Sequence, residues 1–152
     1  MGKQNVYEHS VGVPLMIKAA AQHTGKKTAD LCYLIDVFPT LCDMLQLPVP
    51  QSVDGVSLLP SLDGKGPVRD YLYYSYMDNQ RGISDGTWKL IEYHVNGKRT
   101  TQLFNLKNDP WEMNDLSGQK KYRKTILHLR EKMTEKQKRT NDTSVFWNNF
   151  SY

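Results

Sequence analysis

A short α/β segment followed by an α+β unit, the second a four-stranded antiparallel sheet with one covering helix, is the fold class this sequence predicts. Three observations predict it. An apolar run around a proline, Val13 to Ile17, precedes a helical pattern that starts at Asp36. Four short segments rich in aromatic and branched residues follow, separated by Asp78-Asn79, Asp85-Gly86 and Asn96-Gly97. A late amphipathic stretch then carries Tyr122, Ile126, Leu127, Leu129 and Met133.

Val13 to Ile17 reads as a buried strand entered from the polar loop Gly2 to Ser10, since its proline is tolerable only near a strand's start. Loops at the ends of such strands are where α/β folds place ligands, which makes Lys3 a candidate anion-binding group. Ala19 to Lys27 reads as a connection, and Leu31 to Ile35 as a short buried element. Asp36 is expected to cap a helix with its carboxylate, with Pro39 in the first turn, where a missing N–H costs little. Phe38, Leu41, Met44 and Leu45 follow helical spacing and predict an inward face; Pro48 and Pro50 stop the helix. The Gly-, Pro- and Ser-rich stretch from Gln51 to Arg69 predicts a boundary near its end, dividing the chain into residues 1–68 and 69–152.

Beyond it, Tyr71 to Tyr76, Gln80 to Ser84, Thr87 to His94 and Thr100 to Asn105 predict the strands of a meander, and Gly82, Gly86 and Gly97 are hairpin glycines. The aromatic tail, with Phe146, Trp147, Phe150 and Tyr152, predicts packing back onto the body.

The 152 residues are 39% hydrophobic and 24% charged, an ordinary globular balance that excludes wholesale disorder. No stretch is long enough to span a membrane, and no export signal is visible. The net charge of +4 is concentrated between Lys120 and Arg139. Its spacing between apolar residues reads as the solvated face of a helix, not a nucleic-acid surface. Cys32 and Cys42 have no zinc-site spacing and read as free thiols, with one disulfide open if the protein is exported. His23, His94 and His128 read as surface histidines. Two sequons begin at Asn141 and Asn149.

Several of these segments together resemble one family. Gly2-Lys3, Tyr7-Glu8 and Val11-x-Val13-Pro14-Leu15 are similar to the segment near the end of the catalytic domain of type I sulfatases, in the alkaline phosphatase-like superfamily. Ile35-Asp36-Val37-Phe38-Pro39-Thr40-Leu41, Val53-Asp54-Gly55-Val56-Ser57-Leu58-Leu59-Pro60, Asp85-Gly86-Thr87-Trp88-Lys89 and Leu103-Phe104-Asn105-Leu106 through Asp109-Pro110-Trp111-Glu112 continue it. Five motifs in the family's order are far more specific than any one of them.

The resemblance implies the C-terminal portion of a sulfatase. The family's Cys/Ser-x-Pro-x-Arg nucleophile motif does not occur in this sequence, and Asp78-Asn79 comes too late in the order to be its metal pair. Formylglycine and calcium are therefore expected in a preceding part of the parent. The implied substrate is a sulfated carbohydrate. Lys3 is the implied catalytic residue, contacting a sulfate oxygen. His9 and Glu8 are expected to orient its loop, with His9, Gln80 and Arg81 as candidate substrate contacts. Gly12 and Ser84 stand where many relatives are basic.

The chain alone is expected to be inactive and either to self-associate through Val13 to Ile17 or to be disordered there. No nucleic-acid or membrane partner is expected, and the parent is expected to be periplasmic or secreted. Rival readings stay open: a phosphodiesterase or phosphonate hydrolase of the same superfamily, a non-catalytic carbohydrate-binding or interaction module presenting Tyr73, Tyr74, Tyr76 and Trp88, and a nucleic-acid module using the basic helix.

Overall fold

In the computed structural model, residues 4–18, 25 and 27–143 are described. Lys3, His23, the sequon at Asn149 and the aromatic tail residues fall outside them. The chain divides into two compact units, Met1–Val13 with Tyr73–Tyr152, and Pro14–Leu72. The expected division instead grouped the first 13 residues with the α/β segment. They go with the sheet because Val6 is buried there, against Ile91 and Phe104.

The larger unit is a meander of β1 (Leu72–Tyr76), β2 (Gln80–Ser84), β3 (Trp88–Val95) and β4 (Lys98–Asn105), in spatial order β1-β2-β3-β4. Local turn chemistry sets its register. Asn96 and Gly97 both have positive φ, 51° and 74°, as a two-residue hairpin turn demands, and this pairs Val95 with Lys98. Asp85 Oδ1 accepts the Thr87 and Trp88 amides at 2.8 and 2.6 Å, closing the preceding turn.

Because side chains alternate along a strand, the sheet has two differently used faces. Ile83, Leu90 and Leu103 point one way and are fully buried on the side of α4 (Arg123–Arg139), whose Ile126, Leu129 and Met133 are buried in turn. Gly82, Ile91 and Phe104 point the other way, where the N-terminal segment lies. That segment includes α1 (Glu8–Val11), a single helical turn. Tyr7, Tyr74, Tyr76, Tyr93 and Leu106 pack around the Val6 cluster. A Cβ at Gly82 would come within 3.3 Å of the Tyr74 ring and 3.5 Å of Val6, so the glycine keeps this face flat enough for the segment to lie on it.

The smaller unit holds a 3₁₀ turn, Leu34–Asp36, which runs into α2 (Val37–Met44), and a short α3 (Leu59–Leu62). Three expectations are corrected here. Residues 12–18 form no strand, and Met16 is 92% exposed: among the described residues nothing supplies a ladder for them. The spaced apolar residues of α2 also face outward, with Phe38 51% and Leu45 67% exposed, while Pro39, Thr40 and Cys42 are buried. The helix ends at Met44, ahead of Pro48. Gln46 takes a left-handed φ of 56°, and the Leu47 amide donates to Cys42 O at 2.8 Å.

The third correction is Asp36, which sits at the N-cap position of α2 but caps none of its amides; its carboxylate instead closes the capping box of the preceding 3₁₀ turn. Its carboxylate is wholly buried and accepts the Tyr33 amide at 2.8 Å, the Val56 amide at 2.9 Å and a forked contact from Arg69, with Nε at 2.9 Å. Burial works to raise its pKa. The Arg69 guanidinium and the two amides outweigh that and hold it below the ordinary aspartate value. Thr40 Oγ1 donates to Asp36 O at 2.5 Å and accepts the Leu58 amide at 2.8 Å. Asp36, Thr40 and the 53–58 segment thus form one buried polar network. Gly55 lets the segment approach: a Cβ there would lie 2.2 Å from Ile35 O.

Candidate functional site

Residues 4–8 are held against the sheet through Gln4, Val6, Tyr7 and Glu8. The Val6 amide donates to Gln80 Oε1 at 3.2 Å, and Gln80 Nε2 donates back to Gln4 O at 3.3 Å. Asn5 Oδ1 accepts the Tyr7 amide at 3.1 Å, an Asx turn that bends the segment into α1. The Tyr7 hydroxyl donates to Gln102 Oε1 at 2.6 Å, and its ring meets Phe104 edge-on at 5.9 Å.

The strongest anchor is ionic. Lys89, fully buried on β3, reaches Glu8 Oε1 at 2.7 Å and Glu112 Oε1 at 3.1 Å, with its ammonium 5.0 Å from the Tyr74 ring centroid. Glu112 Oε2 in turn accepts the Glu8 amide at 2.5 Å. Buried charges persist only when paired; here Glu8 Oε1 accepts a hydrogen bond from the ammonium and Glu112 Oε2 one from the Glu8 amide, while Glu112 Oε1 is satisfied by the ion pair alone. Glu112 has a left-handed φ of 54°, and its loop is tied down by Asp109, which accepts the Met113 and Asn114 amides at 3.1 and 2.8 Å. These contacts hold the Asp109 carboxyl below the usual range.

The candidate residues separate over the two faces. Lys3 lies outside the described residues and immediately precedes Gln4, the residue that Gln80 holds. His9 is exposed, stacked on Tyr7 at 5.7 Å. Gln80 is on the face of the N-terminal segment. Arg81 is on the opposite face, buried, with Nε 2.6 Å from Asp142 Oδ2 and Nη1 2.5 Å from Met77 O. Asp142 also accepts the Tyr73 hydroxyl at 2.6 Å, and burial first, then this carboxylate, push the Tyr73 phenol up. Arg81 thus ties the end of α4 to the sheet. Lys89 and Glu112 are the residues that reasoning from the sequence missed, although both lie inside quoted motifs. Among the described residues no three His, Cys, Asp or Glu side chains gather where they could hold a metal ion, and no helix is long and apolar enough to cross a membrane.

The family model described as N-sulphoglucosamine sulphohydrolase, C-terminal, matches residues 1–139, nearly the whole chain and all of the anchored segment. The chain belongs to that family. Among curated relatives, the chain is 29% identical over 153 residues to an N-acetylglucosamine-6-O-sulfatase of Bacteroides thetaiotaomicron, covering 92% of this chain and 27% of that protein. It is 27% identical over 128 residues to human arylsulfatase K, covering 76% of this chain and 24% of that one. A solved structure of a protein in complex with its substrate, D-glucosamine-2-N,6-O-disulfate, matches with a TM-score of 0.58 at 28% identity, over 70% of this chain and 24% of that one. A phosphonate monoester hydrolase from Silicibacter pomeroyi matches with a TM-score of 0.76 over 91% of this chain and 31% of that one. At 22% identity, that likeness shows the fold alone.

The domain spans about a quarter of the length of the curated relatives it matches. Within it the family motifs gain a physical reading. Tyr7-Glu8, Lys89 and Glu112 are three separate motifs that meet in one buried ion cluster, and Asp36, Thr40 and Gly55 are two more that meet in the other polar network.

Proposed function

We propose that the sulphohydrolase domain is the C-terminal part of an enzyme hydrolysing sulfate esters of carbohydrates, and that its own contribution to the chemistry is the cation of Lys3. The observation that supports this reading is the ion cluster of Glu8, Lys89 and Glu112. It immobilises the segment that starts one residue after Lys3, the preorganisation an anion-stabilising donor requires. Lys3 would donate a charge-assisted hydrogen bond to a sulfate oxygen as charge shifts in the transition state. Gln80 acts as a positioning residue through Gln4, and His9 stands on the exposed side of the same turn. Because the family's nucleophile motif does not occur in this sequence, calcium and the formylglycine nucleophile would come from polypeptide outside this chain, and the chain alone would turn nothing over.

The half-burial of Tyr73, Tyr74, Tyr76 and Trp88 weighs against a carbohydrate-binding module built on those rings; Trp88, for one, packs on Tyr122 at 5.1 Å. The test is turnover of 4-nitrophenyl sulfate and of 6-O-sulfated N-acetylglucosamine by the whole polypeptide carrying this domain. Lys3→Ala is expected to lower turnover about a hundredfold, as loss of such a donor costs ~3 kcal/mol, with unfolding unchanged. Turnover near wild type would remove Lys3 from the mechanism. Faster hydrolysis of a phosphonate monoester than of either sulfate would replace the sulfatase reading.

A further inference from the structure

On the face of the sheet opposite the anchored segment, a cavity of about 360 Å³ opens between β4 and the start of α4. It is lined by Thr101, Ser117, Gly118, Gln119, Lys120, Arg123, Ile126, Leu127 and Arg130. Its size falls in the range of small-molecule sites. Its charge is one-sided, with three cations and no carboxylate among the lining residues. Arg130 is compensated, since Nε donates to Glu92 Oε1 at 2.7 Å and Nη2 to Thr101 Oγ1 at 2.8 Å. Lys120 and Arg123 are exposed, and their side chains make no hydrogen bond or ion pair among the described residues.

Of the carboxylates around the cavity, Glu92 is taken up by Arg130, and Asp115 accepts the Ser117 amide and hydroxyl at 2.9 and 3.0 Å, which leaves the helix end itself cationic. The first turn of α4 holds no acidic residue, no side chain caps it, and Lys120, Lys121, Arg123 and Lys124 crowd a helix end whose dipole is already positive. Folding gains nothing from that arrangement, because cations are favoured at the other end of a helix. A bound anion would reverse the sign.

We propose that this cavity is an accessory site for a sulfated saccharide, with Lys120 and Arg123 contacting the sulfate group and Ser117, Gln119 and the apolar floor of Ile126 and Leu127 contacting the sugar. The choice of a sulfated sugar rests on the sulfatase reading; the shared chemistry is a tetrahedral oxyanion, and the cavity has room for more than the anion alone. Lying across the sheet from the anchored segment that begins at Gln4, the site would hold a neighbouring part of a polymeric substrate, not the ester being cleaved.

The experiment is calorimetric titration of the full chain at 0.15 M salt with a heparin-derived hexasaccharide, its desulfated counterpart, inorganic sulfate and single-stranded RNA. Lys120→Ala/Arg123→Ala is compared with Lys138→Ala/Arg139→Ala, which removes the same charge from the far end of α4. The sulfated hexasaccharide is expected to bind, with at least a tenfold loss in the first variant and under threefold in the second, and the desulfated sugar not to bind. Equal losses in the two variants, equal affinity for RNA, or binding of inorganic sulfate as tight as the hexasaccharide would each overturn the proposal. No turnover enters the readout, so these outcomes leave the Lys3 test untouched, and failure of that test leaves the binding result standing.

Discussion

Replacing Lys89 by methionine keeps the volume of the side chain and removes its charge, which isolates what the ion cluster contributes. Its two partners differ. The Glu112 side chain is 1% exposed and loses its counter-charge inside the protein, whereas the Glu8 side chain is 34% exposed and recovers part of its interaction from water. Breaking a buried pair by removing one partner costs about 3–5 kcal/mol. A partly solvated pair adds ~1 kcal/mol at most. The expected loss for Lys89→Met is therefore about 4 kcal/mol, nearly all of it from Glu112. Changing Glu112 to leucine as well should restore part of it, because the stranded carboxylate disappears; what remains is the lost acceptor of the Glu8 amide, about 1–3 kcal/mol. Urea unfolding, followed by circular dichroism, measures the stabilities of wild type, Lys89→Met, Glu112→Leu and the double variant. Amide exchange at Glu8 reports whether the N-terminal segment has come off the sheet. A loss below 1 kcal/mol in Lys89→Met, or single effects that simply add in the double variant, would show that the cluster does not hold the segment.

Gly55→Ala should destabilise the smaller unit by about 3 kcal/mol or more, since the new methyl would meet the backbone oxygen of Ile35, which cannot swing aside like a side chain; an unchanged urea midpoint for that unit would contradict the close approach. The depressed Asp36 carboxyl contributes stability that is complete above the unfolded aspartate value of about 3.9 and is lost as pH falls through the lower folded value. Asp36→Asn should therefore weaken the unit at pH 7, and its gap from wild type should close on the acid side of that window; a gap constant from pH 7 to 2 would mean that the charge is immaterial. Phe38→Glu with Leu45→Lys should raise the monomer fraction in sedimentation while leaving β1–β4 intact, because, with no strand formed at Val13 to Ile17, the outward apolar face of α2 is a larger surface for self-association to bury. Identical sedimentation of the variant and wild type would place any self-association elsewhere.

The meander was legible because its information is local. Asp85-Gly86 and Asn96-Gly97 specify turns without help from distant residues, and four β-rich runs between such turns leave a neighbour-to-neighbour sheet as the simplest connection. The covering helix was legible for a similar reason, its apolar spacing naming Ile126, Leu129 and Met133 in advance. The same logic misread Asp36. An acidic residue ahead of a helix is usually a cap, but here partners 20 and 33 residues further on compete for the carboxylate and win. Spacing also named the apolar face of α2 but not its direction, since periodicity reports which residues share a face and not what lies opposite.

The sequence by itself determined the strands, their turns, the amphipathic helix and the order of motifs that marks the family, because each depends on residues a few positions apart. Only the tertiary structure decided which charges do the holding. Glu8 and Lys89 are 81 positions apart, and Glu8 and Glu112 are 104 apart. Nothing in a local pattern distinguishes a lysine that will be buried from one left in water. Burial makes the difference: in the low-polarity interior an ammonium must find its carboxylates, so the packing that closes over Lys89 also determines where the N-terminal segment lies.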